Sequence, residues 1–340
     1  MKKRKKKTVA TALVILLITV TVLVILLAEK NTLDDEAVEA MYTQDQVDEL
    51  ISQAYLEASG EGREELLTEV RASLGNGASV LETLRPYYPD DILLAGNGTY
   101  QFVPIKDTIP QNSYQQENLE ILESGEYRYL ENGAVTSYKG IDVSSHQGRI
   151  DWEKVAADGV EFAFIRALYR GYGASGKLME DERFDSNMSG AIDAGIPVGI
   201  YVYTQAITQE EILEEAQLAI TKAAKYTDNC RIVVDVEKVM DSEGRMNGLT
   251  VSERTELVAL FCETVEEAGY TPMVYCNMEM AVLMLDMEKL KDYDIWFAAY
   301  TDTLYYPYDY CLWQYSEKGT VDGIEGDVDL DLSFTEILSK

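Results

Sequence analysis

From residue 139 onward the chain alternates between two periodicities. Eight short, apolar, strand-like segments occur at 140–144, 162–168, 198–204, 231–237, 272–277, 294–300, 312–315 and 328–332, separated by stretches with helical spacing. Two of those stretches, 208–225 and 250–268, open with Thr-x-x-Glu, at Thr208/Glu211 and Thr250/Glu253. In that pattern hydroxyl and carboxylate satisfy the free backbone N–H groups of a helix start. Gly269 closes the second stretch, as a left-handed C-terminal residue does. Strands apolar on both sides, alternating with helices, require a parallel sheet with both faces covered, or a closed barrel. Eight strands with helices thinning out toward the end predict an α/β fold: a shortened, TIM-like β/α barrel with fewer than eight helices. Chemistry in such barrels gathers at the C-terminal ends of the strands.

The run Arg231-Ile-Val-Val-Asp235-Val-Glu237 ends an apolar strand in two acids spaced i, i+2. Strand alternation puts both on one face, with Cα atoms about 6.6 Å apart. Two carboxyls at the exit of a buried strand are expensive to desolvate without a task, and paired carboxyls of unequal pKa are the apparatus of glycosidic cleavage. Such a pair, alone, also suits capping a helix or facing water. Asp142 and Tyr203 fall near strand ends too. Asp142 equally suits bonding to nearby amides, and His146, the only histidine, suits a structural hydrogen-bonding role. Asp327, Asp329 and Asp331 share one face of the last strand, one placed to line the mouth while the others meet solvent. Tyr201, Tyr203, Trp296, Tyr300, Trp313 and Tyr315 are ordinarily core or rim residues. Around acids, however, aromatic rings suit the apolar faces of sugars.

The N-terminus carries a different message. Six of the first seven residues are Lys or Arg, and 8–28 is a 21-residue stretch with no charge, rich in Val, Leu and Ile. As a helix it is about 31 Å long, enough to span a bilayer. The positive-inside rule then leaves 1–7 as a cytoplasmic tail and everything after residue 28 outside. A cleaved export signal competes, but its apolar core is usually about 7–15 residues and ends at small residues, whereas Leu27-Ala28-Glu29 is a poor cleavage site. After residue 28 the chain holds all 60 acids against 23 of its 29 Lys and Arg. Such a surface repels nucleic acid. The cysteines, Cys230, Cys262, Cys276 and Cys311, form no C-x-x-C pair, so no metal or other cofactor is expected. The outside location permits disulfides, though four buried thiols are an equal alternative.

Residues 29–138 are expected to form a small α+β stalk or accessory region. Thr43-Gln-Asp-Gln46 resembles a capping box for a first helix, and a second stretch at 64–74 stops at Gly75. A strand at 100–103 and a hairpin turning at Asn132-Gly133 follow.

The segment Gly140-Ile-Asp-Val-Ser-Ser-His-Gln-Gly-Arg-Ile-Asp-Trp152 resembles the opening of a glycoside hydrolase family 25 lysozyme. Phe162-Ala-Phe-Ile-Arg-Ala167, Glu180-Asp-Glu-Arg-Phe-Asp-Ser-Asn187 and Ala194-Gly-Ile-Pro-Val-Gly-Ile-Tyr-Val-Tyr203 continue the likeness. Val234-Asp-Val-Glu237, Trp313-Gln-Tyr315 and Gly326-Asp-Val-Asp-Leu330 complete it, over 139–336. The resemblance implies a modified eight-stranded β/α barrel that hydrolyses the β-1,4 bond between N-acetylmuramic acid and N-acetylglucosamine of peptidoglycan. It implies Glu237 as general acid/base, Asp235 beside the 2-acetamido group or the anomeric charge, and Asp142 and Asp329 as companions. Tyr201, Tyr203, Trp296, Tyr300, Trp313 and Gln314 are the expected substrate contacts. With the apolar segment at 8–28, the expectation is a wall-remodelling enzyme tethered to the outer face of a cell membrane. The competing expectations are a non-catalytic glycan-binding or scaffold protein and a glycosidase for another N-acetylated glycan.

Overall fold

The structure, a computed structural model, describes residues 44–96, 99–227, 229–240 and 244–336. The expected membrane span at 8–28 and Thr43 of the expected capping box lie outside the described residues. Among the described residues no helix is long and apolar enough to cross a membrane. The chain divides into two compact units, Met1–Ser79 and Val80–Lys340.

In the first unit one helix, α1 (Gln44–Gly75), runs for 32 residues where the sequence predicts two. It continues through Gly60 and Gly62, each a penalty of about 1 kcal/mol relative to alanine. The Glu, Leu, Ala and Arg residues around them are strong helix formers and carry the helix across. It stops at Gly75, before the left-handed Gly77 (φ 91).

The second unit opens with α2 (Val80–Leu84), then an antiparallel ribbon of β1 (Asp91–Gly96) and β2 (Thr99–Pro104). A three-stranded antiparallel sheet follows: β3 (Leu119–Ile121), β4 (Tyr127–Glu131) and β5 (Ala134–Val135). The turn between the last two holds Asn132 at φ 52 and Gly133 at φ 80, both positive as a type I′ hairpin requires.

The remaining elements build the barrel: β6 (Tyr138–Val143), α3 (Trp152–Ala157), β7 (Phe162–Arg170), β8 (Leu178–Glu180), α4 (Phe184–Asp193), β9 (Val198–Tyr203), α5 (Gln209–Ala223), β10 (Arg231–Asp235), α6 (Val251–Glu267), β11 (Thr271–Asn277), α7 (Met287–Leu290), β12 (Asp294–Ala298), β13 (Leu312–Gly319) and β14 (Val328–Ser333). Neighbours run β6–β7–β9–β10–β11–β12–β13–β14 and back to β6, a closed ring of eight. Strands β6 to β13 in that ring pair in parallel, and β14 closes it antiparallel to both neighbours. Strand β8 folds back on the outer end of β7 without joining the ring.

Side chains alternate between two cores. The outer one lies under the helices, where α5 buries Ile212, Ala216, Ala219 and Ala223, and α6 buries Leu257, Val258, Phe261 and Val265. The inner one fills the barrel with Phe162, Phe164, Val233, Met273, Trp296 and Leu312. Two glycines make room for the large rings. A Cβ on Gly140 would lie 2.0 Å from the Phe162 ring, and one on Gly199 would lie 2.3 Å from the Phe164 ring. Thr250 and Glu253 form the expected capping box of α6. At α5 the Thr208 hydroxyl caps Glu211 N–H, but the Glu211 carboxylate turns to Arg245 and Ile207 N–H instead. All four cysteines are free thiols, and burial raises their pKa, making them unreactive.

Residues 80–138 pack on the barrel. Asn112 donates to the carbonyls of Tyr306 (2.6 Å) and Tyr308 (2.9 Å), Tyr114 donates to Tyr310 O (2.6 Å), and Tyr127 stacks on Tyr315 at 4.2 Å.

Candidate active site

The parallel strands all point their C-terminal ends at one mouth. Register places Asp142 of β6 opposite Asp329 of β14 and Asp235 of β10 between Tyr203 of β9 and Tyr275 of β11. Directly opposed residues of an antiparallel pair have Cβ atoms about 4.5–5.5 Å apart, so Asp142 and Asp329 are immediate neighbours. Strand β10 ends at Asp235, two residues short of the predicted end, yet the backbone stays in the ladder. Thr204 N–H donates to Asp235 O and Val236 N–H to Tyr275 O, both at 3.1 Å. Val236 is buried, while Asp235 and Glu237 line the same cleft of about 550 Å³ with Asp329, Tyr201, Tyr203 and Arg166.

Four carboxyls share this mouth, and burial pushes each above the usual carboxylate range. Asp142 is raised well above it, by burial first and then by Asp329 and Asp331. Asp235 is raised likewise, by burial and then Glu237, with Arg166 opposing. Glu237 is raised by burial, with the nearby Tyr275 hydroxyl opposing. Asp329 is pushed up to about 6, by burial and then by Glu317 and Glu237. Burial at the mouth therefore favours the protonated carboxyls, as an acid catalyst requires. Asp235 also has a buried Oδ1 with no hydrogen-bond partner, an acceptor its neighbours leave unsatisfied.

Arg166 is the residue sequence inspection passed over. Its Nη2 lies 2.8 Å from Asp181 and 3.2 Å from Ser145 Oγ, and Asp181 also accepts from the backbone of Ser145 and Arg183. The signal was present: Phe162, Phe164 and Arg166 alternate, so the arginine is the one charge on an inward-facing row. Tyr172, half-exposed, hydrogen-bonds the Tyr203 hydroxyl at 3.2 Å and extends the wall. His146 sits in a short turn capped by Ser144 and Gln147. Its ring is exposed and borders the cleft, not the structural bonding role expected of it.

Three expected substrate contacts are corrected. Trp296 is 1 % exposed and lies in the barrel floor, its Nε1 donating to Asp331 Oδ1 at 2.9 Å. Trp313 is 1 % exposed and points outward, covered edge-on by Tyr127 at 5.4 Å. Gln314 is 4 % exposed and bonded within the protein: its Oε1 accepts from Tyr275 (2.8 Å) and Tyr300 (2.9 Å), and its Nε2 donates to Asp142 (2.7 Å). It orients a carboxyl. Asp331, expected in solvent if Asp329 lines the mouth, is fully buried instead. Tyr201 and Tyr203 line the cleft, and Tyr300, 54 % exposed, stands at the rim.

The sequence model for glycosyl hydrolases family 25 matches residues 141–324, more than half of the chain. The chain belongs to that family. It is 28 % identical over 194 residues to the autolytic lysozyme of Clostridium acetobutylicum, covering 57 % of this chain and 55 % of that one. It is 26 % identical over 240 residues to lysozyme M1 of Streptomyces globisporus, covering 66 % and 79 %. The chain thus spans little more than half the length of the first relative. The modular autolysin LytC of Streptococcus pneumoniae shares the fold, with a TM-score of 0.51 at 23 % identity, over 71 % of this chain and 57 % of that one. All four acids fall on or beside the barrel strands of this family 25 fold.

Proposed function

We propose that the protein is an N-acetylmuramidase, hydrolysing the β-1,4 bond between N-acetylmuramic acid and N-acetylglucosamine in peptidoglycan. The observation that carries this is the acid cluster: Asp142, Asp235, Glu237 and Asp329 at one barrel mouth, in a tyrosine-walled cleft. The names of its relatives, lysozymes and an autolysin, agree with it.

Glu237 is the proton donor. Burial keeps its carboxyl protonated above the usual range, ready to protonate the glycosidic oxygen and afterwards to take a proton from water. Burial and Glu237 raise the Asp235 carboxyl, and Arg166 opposes that rise. Its unpartnered Oδ1 is placed to accept the 2-acetamido N–H or to face the positive charge that grows at the anomeric carbon. Gln314 holds Asp142 in place, opposite Asp329 across the β6–β14 pair. Tyr203 and Tyr300 provide flat faces for sugar rings.

The charge-free segment 8–28 behind six positive charges tethers the enzyme to the outer face of the cell membrane, where tethering holds it near the wall at high effective concentration. The test of the chemistry is digestion of purified peptidoglycan by the full chain, with new reducing ends identified by mass spectrometry. Muramic acid ends are expected; glucosamine ends, or none, overturn the proposal. The anchor is tested by fractionation: the protein is expected in membranes after a high-salt wash, and release by salt alone counts against it.

A further inference from the structure

A second cavity, of about 460 Å³, lies where the α2–β1 segment meets the barrel rim. Leu81, Leu93 and Arg85 wall one side; Phe297, Tyr300 and Tyr305 wall the other. The Tyr305 hydroxyl ties the two sides together, accepting from Leu93 N–H and donating to Leu93 O. The Arg85 guanidinium lies over the Tyr305 ring, its Cζ 3.3 Å from the centroid. Its Nε is buried with no hydrogen-bond partner. Among the described residues no carboxylate pairs with Arg85, and the acid on the wall, Glu279, is engaged by Lys238 at 2.5 Å. The cavity therefore presents an uncompensated cation on a chain of net charge −31.

Its position connects it to the acids. Tyr300 lines this cavity and bonds Gln314, which in turn holds Asp142. Tyr300 thus joins the cavity wall to the hydrogen-bond chain that ends on the acids. We propose that the cavity binds the carboxylate-bearing peptide carried by the muramic acid of wall glycan, with the Arg85 guanidinium pairing with a peptide carboxylate. This rests on the muramidase reading for its ligand. The planar fork of arginine matches a carboxylate in two parallel bonds. The apolar walls suit the methyl groups and backbone of short alanine-containing peptides better than the hydroxyls of a bare sugar. The volume falls within the range of small-ligand sites, roughly 300–1,000 Å³.

The experiment is calorimetric titration of the full chain with a synthetic N-acetylmuramyl peptide, once with a free terminal carboxylate and once with that group amidated. A charge-assisted bond of this kind gives the acid form about tenfold tighter binding. Arg85→Gln removes the difference, and Arg85→Lys restores part of it. Equal affinity for acid and amide, or a preference that survives Arg85→Gln, overturns the proposal. So does loss of binding in Arg85→Gln that is equally large for an N-acetylglucosamine oligomer, because the cavity then grips sugar. The two readings separate cleanly: digestion with no acid preference leaves the muramidase standing and removes this site. An acid preference without digestion does the reverse.

Discussion

The mouth and the floor of this barrel are built by the same strands, on the same inward face, two residues apart. On β6 the floor residue is Gly140 and the mouth residue Asp142; on β7 they are Phe164 and Arg166; on β10, Val233 and Asp235; on β13, Leu312 and Gln314. One step of strand alternation takes the lining from hydrocarbon to carboxylate. The floor is filled by rings that touch, with Trp296 4.8 Å from Phe164 and 4.9 Å from Tyr275. That packing keeps water from approaching the acids from below and supplies the burial that raises their pKa. Stability and chemistry thus occupy adjacent layers, and the second depends on the first.

The largest expected effect is at the mouth. Glu237→Gln keeps the shape of the side chain and removes its proton. Loss of a general acid lowers turnover by about a thousandfold, while thermal melting stays at or above that of wild type because a buried carboxyl has gone. Turnover on peptidoglycan within tenfold of wild type would falsify the assignment of Glu237 as proton donor and break the division between the layers.

Much of this division was legible in the sequence. An apolar run ending in Asp235 and Glu237, among eight strand segments in β/α order, places the acids at a barrel mouth. The errors have particular causes. Trp313 and Gln314 are both expected at the substrate, yet alternation alone requires these neighbours to face opposite ways. The covering of Trp313 by Tyr127 is a contact between residues 186 positions apart in a stretch with no period, so nothing local announces it. Asp331 was misplaced for a directional reason. Strand β14 runs antiparallel, so each successive inward acid lies deeper, and the alternation that groups Asp329 with Asp331 says nothing about depth. Arg85 in its cavity is invisible for the same reason as Tyr127.

A smaller effect is expected in the floor. Gly140→Ala places a methyl 2.0 Å from the Phe162 ring, so the ring must leave its position. Overpacking of this kind destabilises by about 1–3 kcal/mol, read by urea denaturation. The double change Gly140→Ala with Phe162→Leu recovers part of the loss, since the smaller side chain vacates the space. If Gly140→Ala unfolds at the wild-type urea concentration, the floor is looser than its ring contacts imply, and burial of the acids needs another source.

The last effect, read only as a change of slope with pH, belongs to Asp331, where the two layers meet. Its carboxyl is inside the floor, with Oδ1 bonded to Trp296 and Oδ2 without a partner. Burial, and then the nearby Asp329, raise its pKa well above the usual range, against the Trp296 bond. The folded state therefore binds a proton that the unfolded chain releases near pH 3.9. Stability from this group is complete below that value and is lost as pH rises toward the raised folded pKa, by at most about 1.4 kcal/mol per pH unit. Asp331→Asn has no proton to lose. The variant is expected to match wild type near pH 4 and to exceed it at pH 8, with a flatter dependence of unfolding free energy on pH between them. Asp142, Asp235 and Asp329 keep the rest of the slope, because their raised pKa values remain. Parallel slopes in the two proteins would mean that Asp331 holds no extra proton, and that the floor tolerates a charge.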